Sequence, residues 1–387
     1  MTWDALVVGG GPAGSATAAR LAADGWRVLL LDRAEFPRRK PCGECVNPAG
    51  VEALRRLGVL DTVLASGAAP LDGWRIAAGD EASFVGRFPD GVRGLGVPRE
   101  RLDALLLDHA RAAGVEVRTG IKVSDLLRDA DDRVRGVAAG GEEIPARIVV
   151  GADGLRSVVL RRLGLLARPP RLRKLALTAH VRGLDGLRGC GQLRARGRGC
   201  VGVAEVGGGL ANVTVVVPGA RAEEVSGDRA GYFDAMLRRY GLDGAARVDD
   251  VLATGPFDYP ARRAVADGAL LVGDAAGYYD PFTGQGIYRA LRGAELAAGT
   301  IGAALRARDT SAAALMPYHH AHRRAFADGE RLQRIVEAFV SRPALLRWAA
   351  GRFTRRPALG DAIIRATGDV RPPRSLLRPG LVAQLVL

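Results

Sequence analysis

The first thirty-two residues contain two short apolar runs separated by a helical pattern. Residues 4–8 and 26–31 are mainly apolar stretches of strand length, and Asp32 ends the second. Between them, residues 15–25 carry small apolar side chains at helical spacing. This order predicts a parallel βαβ unit at the start of the chain.

The same kind of pattern returns later in the chain. Residues 100–113 place leucines on one face of an amphipathic helix, and residues 144–150 and 269–272 read as further apolar strands. A helix is predicted from about residue 286 to residue 305. Strands that alternate with helices are typical of an α/β domain with a parallel sheet.

A different pattern fills the middle and the end of the chain. Residues 172–218 alternate apolar and polar positions, and Gly207-Gly208-Gly209 interrupts the alternation. This predicts an antiparallel sheet with a hairpin across the three glycines. Residues 310–387 are mostly helical in pattern, rich in Arg and interrupted by Pro.

The turn after the first strand carries the spacing Gly9-x-Gly11-x-x-Gly14. In such a turn the first glycine permits the bend, the second lets the backbone approach a pyrophosphate, and the third allows close helix–strand packing. The helix that follows offers its free N–H groups to phosphates. Asp32 is placed to accept hydrogen bonds from ribose hydroxyls. Together these features predict a dinucleotide site.

Two further glycine-containing motifs follow predicted strands. The first contains Asp153, and by itself it could be any tight turn. The second runs from Gly273-Asp274 to Gly284-Gln-Gly286 and precedes a helix. Its aspartate can bind polyol hydroxyls, and its last glycines let the backbone approach a flat ring. The helix dipole there would stabilise negative charge on a reduced flavin. This motif favours FAD over NAD.

Three such motifs in this order resemble the FAD-binding signature of the p-hydroxybenzoate hydroxylase superfamily, over roughly residues 1–305. Within it, residues 36–44 (FPRRKPCGE) and 279–287 (YDPFTGQGI) are similar to geranylgeranyl reductase-like flavoproteins. The resemblance implies that FAD is held by Gly9, Gly11, Pro12, Ala13, Gly14, Asp32, Arg33, Cys42, Arg99, Asp153, Gly273, Asp274, Pro281, Gly284, Gly286 and Ile287.

Three residues are catalytic candidates under this resemblance. Cys42 would lie near the flavin, where a thiol can tune it or donate a proton; otherwise it is a small buried side chain. Glu44 would position substrate, or it is a surface carboxylate. Pro281 would line the isoalloxazine ring. Glu44 stands where many reductases of this branch have glycine, and residues 202–206 replace their aromatic motif. Both departures argue against a long prenyl substrate.

The predicted fold is therefore α/β, with a discontinuous Rossmann-like FAD-binding domain, an inserted antiparallel β-sheet substrate domain and a helical C-terminal region. The FAD-binding domain is predicted over residues 1–75, 98–165 and 265–305. The substrate domain is predicted over residues 76–97 and 166–264, and the helical region over 306–387.

Charge and composition narrow the range of expected binding partners. The formal net charge is +14, but the arginines are scattered and no nucleic-acid-binding motif accompanies them, so nucleic acid is not expected as a partner. An anionic membrane surface stays open, because residues 339–353 combine apolar side chains with Arg. The oligomeric state stays open as well. The start of the chain lacks a signal-peptide pattern, which predicts a cytoplasmic protein without structural disulfides.

The other titratable residues suggest little chemistry. The four cysteines do not have zinc-site spacing, so no metal is expected. His180 falls on the polar side of a predicted strand and is expected at the surface. His319, His320 and His322 lie on a polar helix and are expected to be solvated.

The sequence predicts an FAD-dependent oxidoreductase that uses NAD(P)H without a dedicated domain for it, as the resemblance implies. It would reduce or dehydrogenate a lipophilic, polyketide- or isoprenoid-like small molecule. One alternative is a flavin monooxygenase that hydroxylates or epoxidises an aromatic or quinone-like substrate. Another is a non-catalytic, flavin-binding accessory protein at a membrane surface. A disulfide reductase is disfavoured by the cysteine spacing, and a halogenase by the absence of Trp-x-Trp.

Overall fold

A computed structural model describes residues 2–80, 82–197, 199–280 and 282–377. Pro281, one of the predicted ring contacts, therefore lies outside the described residues. The strands are β1 (Trp3–Val8), β2 (Val28–Leu31), β3 (Cys45–Val46), β4 (Ala69–Leu71), β5 (Gly73–Ala78), β6 (Ala82–Arg87), β7 (Gly94–Gly96), β8 (Glu116–Arg118), β9 (Val123–Arg128), β10 (Val134–Ala139), β11 (Glu142–Gly151), β12 (Lys174–Arg182), β13 (Cys190–Arg196), β14 (Gly199–Gly207), β15 (Leu210–Pro218), β16 (Ala246–Arg247), β17 (Leu252–Thr254), β18 (Val265–Ala266) and β19 (Ala269–Leu271).

The helices include long ones at the C-terminal end of the chain. They are α1 (Pro12–Ala23), α2 (Pro48–Leu57), α3 (Leu60–Ala65), α4 (Arg99–Ala112), α5 (Val158–Arg162), α6 (Ala222–Gly227), α7 (Arg229–Arg239), α8 (Gly286–Arg306), α9 (Ala312–Val340), α10 (Pro343–Arg355) and α11 (Pro357–Thr367). Short 3₁₀ helices cover Gly219–Arg221, Gly273–Ala276 and Pro373–Leu377.

The first sheet has the order β18-β19-β11-β1-β2-β8, with β10 and β9 extending it from β11. Strand β1 pairs in parallel with β11 and β2, and β19 pairs in parallel with β11. Because helices cover both faces, β2 and β19 are buried at every residue. The predicted Rossmann-like domain is confirmed, and the carboxyl ends of β1, β11 and β19 meet at one edge.

The second sheet has the order β16-β12-β15-β14-β13-β5-β6, with β17 beside β12. Its pairs are antiparallel except β13 with β5. The three glycines at 207–209 have φ angles of 92°, 63° and 69°. L-residues with side chains rarely adopt such angles, so glycine suits this predicted hairpin between β14 and β15. One face of the sheet packs on α6 and α7, around the buried Phe233.

The C-terminal helices α10 and α11 pack on β6, which is an edge strand of the second sheet. His322, expected to be solvated, is instead buried on α9 between the rings of Tyr318 and Phe326. Burial lowers its pKa to about 3, so this imidazole is neutral. Within the described ranges, no helix combines the length and the apolar character that crossing a membrane would require.

Candidate functional site

The turn between β1 and α1 has room only for glycine at two positions. Gly9 has a φ of +107°, and a Cβ atom on Gly14 would lie 1.8 Å from the carbonyl oxygen of Gly9. Gly11 is the N-cap of α1, and no side chain caps the helix there. The first N–H groups of α1 are thus free for an anionic ligand.

Asp32 braces this turn from the end of β2. Its two carboxylate oxygens accept hydrogen bonds from the Gly10 amide at 2.7 Å and the Ala34 amide at 2.8 Å. Arg38 lies 3.6 Å from the same carboxylate. A carboxylate has about four lone-pair positions, so capacity remains for a ribose hydroxyl. Arg33, also predicted to bind the cofactor, is exposed beside Asp32.

The other two motifs meet the glycine turn. A Cβ atom on Gly9 would lie 2.5 Å from the carbonyl oxygen of Ala152, which follows β11. A Cβ atom on Gly273, which follows β19, would lie 2.8 Å from Cβ of Ala13. The three separated motifs therefore form one continuous site at the carboxyl edge of the parallel sheet, where such sheets bind nucleotides.

Asp153 is occupied by local contacts. Its carboxylate accepts hydrogen bonds from the Ser157 hydroxyl and the Val158 amide at the start of α5. Burial raises its pKa, and these hydrogen bonds oppose the rise. This carboxylate holds the turn in place, and the predicted contact of Asp153 with the cofactor stays a prediction.

Asp274 is a candidate ligand for polyol hydroxyls. It lies half-buried on the 3₁₀ helix after β19, and among the described residues nothing hydrogen-bonds its carboxylate. Lys40 is close enough to interact with it electrostatically. Burial and the charge of Arg99 lower the pKa of Lys40, and Asp274 opposes that change. The site thus pairs an available carboxylate with a half-buried ammonium group.

The start of α8 provides a second open helix end. Gln285 is its N-cap but makes no side-chain cap, so the first N–H groups of α8 are uncapped. Gly284 has a φ of +66° and leaves open space beside it. Ile287 is buried in the first turn of the helix. Gly286 and its neighbours can therefore lie against a flat ring, as the sequence predicts.

The segment of residues 36–44, called the Cys42 loop from here on, is hydrogen-bonded to Arg99 at the start of α4. The amide of Glu44 donates to Sγ of Cys42 at 3.3 Å, and the amide of Arg99 donates to Oε1 of Glu44 at 2.8 Å. Glu44 is buried and has a φ of +56°, so the surface alternative considered for it is wrong. Burial disfavours the charge on Arg99, but Asp103 and Cys42 outweigh it and raise the pKa of Arg99.

The expectation for His180 is also wrong. Its ring is buried, with Nε2 2.6 Å from Oε2 of Glu44 and Nδ1 2.7 Å from Oδ2 of Asp249. The side chain points from β12 toward the Cys42 loop, a direction that the alternation of the strand did not indicate. Burial lowers the pKa of His180, but the hydrogen bonds and charges of Glu44 and Asp249 outweigh burial and raise it.

A narrow cleft opens beside the Cys42 loop. Val46, Leu71, Trp74 and Phe88 form its apolar sides, and its other lining residues include Asn47, Thr283, Gly284 and Thr367. The cleft lies between the small sheet β3-β7-β4, strand β5 of the second sheet and the open turn before α8. Its volume of about 20 Å³ is far below that of a ligand pocket, so a substrate could enter only if the cleft widened.

These features fit FAD. Gly9 and Gly14 lie too close to neighbouring backbone for any Cβ atom, which keeps the turn tight, and two uncapped helix ends face one sheet edge. Asp32 and Asp274 lie at separate ends of that edge, as hydroxyl ligands for a ribose and a ribityl chain would. Gly9, Gly11 and Asp32 would hold the adenosine diphosphate half, Asp274 the ribityl chain, and the Gly284 turn the ring.

Comparison with known proteins also indicates FAD as the cofactor. The family model described as FAD binding domain matches residues 2–181. The menaquinone reductase of Mycolicibacterium smegmatis is 31% identical over 76% of this chain and 75% of its own. The digeranylgeranylglycerophospholipid reductase of Methanothrix thermoacetophila is 33% identical over 82% of both chains.

Two further similar proteins are named for other reactions, a monooxygenation and a halogenation. The rifampicin monooxygenase of Streptomyces venezuelae is 31% identical over 74% of this chain, which spans 61% of that protein. The crystal structure of CmlS, a flavin-dependent halogenase, superposes with a TM-score of 0.77 at 27% identity, covering 86% of this chain and 64% of that one. The chain belongs to the FAD-dependent oxidoreductases of the p-hydroxybenzoate hydroxylase superfamily, in the geranylgeranyl reductase-like branch.

Proposed function

We propose that this enzyme uses FAD, reduced by NAD(P)H, to reduce a carbon–carbon or similar bond of a lipophilic, isoprenoid- or polyketide-like small molecule. The observation that carries the proposal is the apolar cleft between Trp74, Phe88 and Gly284, which adjoins both the ring turn and the Cys42 loop. Once the cleft has widened on binding, a flat or extended apolar substrate would place its reacting bond beside the ring.

The chain's own residues have separable tasks in this proposal. Bound FAD supplies the hydride. The uncapped start of α8 favours negative charge on the ring. Val46 and Leu71 exclude water from the cleft. Cys42, whose Sγ accepts the amide hydrogen of Glu44, is a candidate proton donor.

The relatives support reduction as the reaction type. Those named menaquinone reductase and digeranylgeranylglycerophospholipid reductase match over three-quarters or more of both chains. Both names describe a reduction, of menaquinone in one case and of a digeranylgeranylglycerophospholipid in the other. The substrate of this chain is proposed from the cleft and these names together.

A flavin monooxygenase is the second candidate. The observation that favours it is the match to a rifampicin monooxygenase at 31% identity. In that case the same cleft would hold an aromatic ring, and oxygen would be consumed with NAD(P)H.

Anaerobic turnover distinguishes the two candidates. The FAD-loaded protein, NADH or NADPH, and a panel of prenylated quinones, polyketide-like enones and phenols would be mixed without oxygen. The proposal expects reduced product equal in amount to the NAD(P)H oxidised. Trp74→Ala should raise KM about tenfold, because an aromatic side chain in contact with an apolar ligand contributes on the order of 1–2 kcal/mol. Trp348→Ala, a change at an exposed tryptophan, is the matched control in lipid-free buffer.

We also propose a peripheral membrane contact, as a lipophilic substrate would favour. Trp348 on α10 is 44% exposed, and the guanidinium of Arg352 lies 5.9 Å from the centre of its ring. An exposed indole beside basic side chains is typical of interfacial helices. Sedimentation with anionic vesicles should carry the protein down, and Trp348→Ser should reduce the pelleted fraction. Failure of the unmodified protein to pellet would refute this contact.

A further inference from the structure

A chain of hydrogen bonds runs from the Cys42 loop to the protein surface. Glu44 accepts the Arg99 amide hydrogen with one oxygen and contacts Nε2 of His180 with the other, at 2.6 Å. Nδ1 of His180 lies 2.7 Å from Asp249, and Asp249 lies 2.9 Å from Nη2 of Arg39. This chain of hydrogen bonds connects the Rossmann-like domain with the second sheet, because His180 belongs to β12.

The three acid–base groups must share an extra proton. Each short contact between an imidazole nitrogen and a carboxylate oxygen requires one hydrogen, and a neutral imidazole has only one N–H. Two such contacts therefore need a doubly protonated ring or a protonated carboxyl. Either way, Glu44, His180 and Asp249 together hold one proton more than the neutral ring with two carboxylates.

Along this chain of hydrogen bonds, the side chains become more exposed from Glu44 to Asp249. Those of Glu44 and His180 are 5% and 10% exposed, and that of Asp249 is 22% exposed. Glu44 is thus the buried end and Asp249 the end that meets water. A histidine can take up and release a proton near physiological pH, and the two adjoining carboxylates favour its charged form.

We propose that His180 stores a proton between Glu44 and Asp249 and supplies it, through Glu44, to the flavin pocket when the flavin is reduced and reoxidised. His180 is a positioning residue, because it acts through Glu44. The inference rests on the assignment of the chain as an FAD-dependent oxidoreductase, but not on which substrate it reduces.

The overall reactions require such a supply. Reduction consumes one proton, since a substrate plus NAD(P)H and H⁺ gives the dihydro product and NAD(P)⁺. Monooxygenation also consumes one, since substrate, O₂, NAD(P)H and H⁺ give the oxygenated product, water and NAD(P)⁺. In the proposed step the N–H bond at Nε2 of His180 breaks and an O–H bond forms at Oε2 of Glu44. The ring becomes neutral and keeps its proton on Nδ1. The new O–H bond of Glu44 then breaks as the proton passes to the acceptor in the flavin pocket, which restores the carboxylate, and a hydronium ion from the solvent returns one proton to Nε2 after each turnover.

Other charged groups around His180 set how tightly the proton is held. Arg39 and Arg247 contact Asp249 from the outer side, through its carboxylate and its carbonyl oxygen respectively. On the inner side, the Arg99 guanidinium lies behind Glu44 and is itself paired with Asp103. Among the described residues, the carboxylates of Glu44 and Asp249 are the only titratable side chains that contact the ring of His180 directly.

The pH dependence of the FAD midpoint potential tests this inference without any substrate. The FAD-loaded protein is compared with His180→Gln and Asp249→Asn, and with His320→Gln as a control at an exposed histidine. We expect the potential of the unmodified protein and the control to fall more steeply with pH where His180 titrates. His180→Gln should lose this steeper segment, and Asp249→Asn should shift it to lower pH.

A merely structural role predicts a different outcome. His180→Gln would then lower the melting temperature while leaving the slope of potential against pH unchanged, and that result overturns the inference. If His180→Gln does not bind FAD, NMR titration of His180 in the unmodified protein replaces it. The pKa of His180 should rise when FAD is reduced, and an identical pKa in both redox states refutes the proposal. Neither measurement depends on finding the substrate, so failure of the proposed reduction is detected separately.

Discussion

Arg99 and Asp103 form a buried, two-point ion pair on the first turn of α4. Nε and Nη2 of Arg99 each lie 2.7 Å from an oxygen of Asp103, and the two side chains are 6% and 0% exposed. The backbone amide of the same arginine donates to Glu44. This single residue therefore fixes the Cys42 loop relative to the glycine turn.

Breaking this pair should be costly. Arg99→Leu leaves the buried Asp103 with Arg38, 3.2 Å away, as its remaining ion-pair partner, and with a weaker electrostatic interaction with Lys40. We expect a loss of about 3 kcal/mol in the free energy of unfolding, measured by urea denaturation. Arg111→Ala removes an exposed pair with Asp108 on the same helix and should change stability by less than about 1 kcal/mol. Equal effects of the two changes would contradict the assigned role of the buried pair.

The glycine turn makes a sharp prediction about FAD binding. Gly14→Ala would place a Cβ atom 1.8 Å from the Gly9 carbonyl oxygen, so the turn must open. We expect FAD affinity to fall by more than about tenfold, measured by fluorescence titration of the apoprotein. Gly299→Ala on α8, where no atom lies within 4 Å of the added Cβ, should bind FAD as the unmodified protein does. Unchanged affinity in Gly14→Ala would exclude this turn as the pyrophosphate site.

The sequence predicts those parts of the site whose residues lie close together along the chain. Gly9, Gly14 and Asp32 belong to one βαβ unit, so their spacing alone brings them together. His180 was expected at the surface because strand alternation indicates a face but not what covers it. Its partner Glu44 is 136 residues away along the chain, and only the docking of β12 on the Cys42 loop brings them into contact.

Asp369 was missed for the same reason. It lies just after α11, yet it accepts hydrogen bonds from Asn47 at 2.9 Å and from Gln285 at 2.8 Å. It thus connects the C-terminal region to the N-caps of α2 and α8. No local motif marks such a residue, since both partners are more than eighty positions away.

Asp369 should make stability depend on pH. Burial raises its pKa to about 6, although the hydrogen bonds from Gln285 and Asn47 oppose the rise. Because the folded pKa is above the unfolded value, its contribution is most favourable at low pH and is lost as pH rises through about 6. Asp369→Asn should therefore gain about 1–2 kcal/mol relative to the unmodified protein at pH 8, and less at pH 4.5, in urea denaturation. A variant that is equally destabilised at both pH values would contradict this.

The contribution of His180 to the stability of the fold should also be lost as pH rises, but for a different reason. Its folded pKa is raised by Glu44 and Asp249, so its stabilising contribution is fully present below the unfolded pKa of about 6.5 and is lost as pH rises through the folded pKa. His180→Gln should lose more stability at pH 6 than at pH 9, measured by thermal unfolding of the apoprotein. His320→Gln should show no such difference. An effect that grows with pH would mean that the ring is neutral in the folded protein.

The most direct test of the account is a single-turnover reaction without oxygen. The FAD-loaded protein is reduced to completion and mixed anaerobically with each lipophilic candidate substrate, while the flavin absorbance and the product mass are followed. The account predicts that one substrate reoxidises the flavin and gains two hydrogen atoms per flavin. A flavin that stays reduced with every candidate until oxygen is admitted, and then yields a product heavier by one oxygen atom, would contradict it.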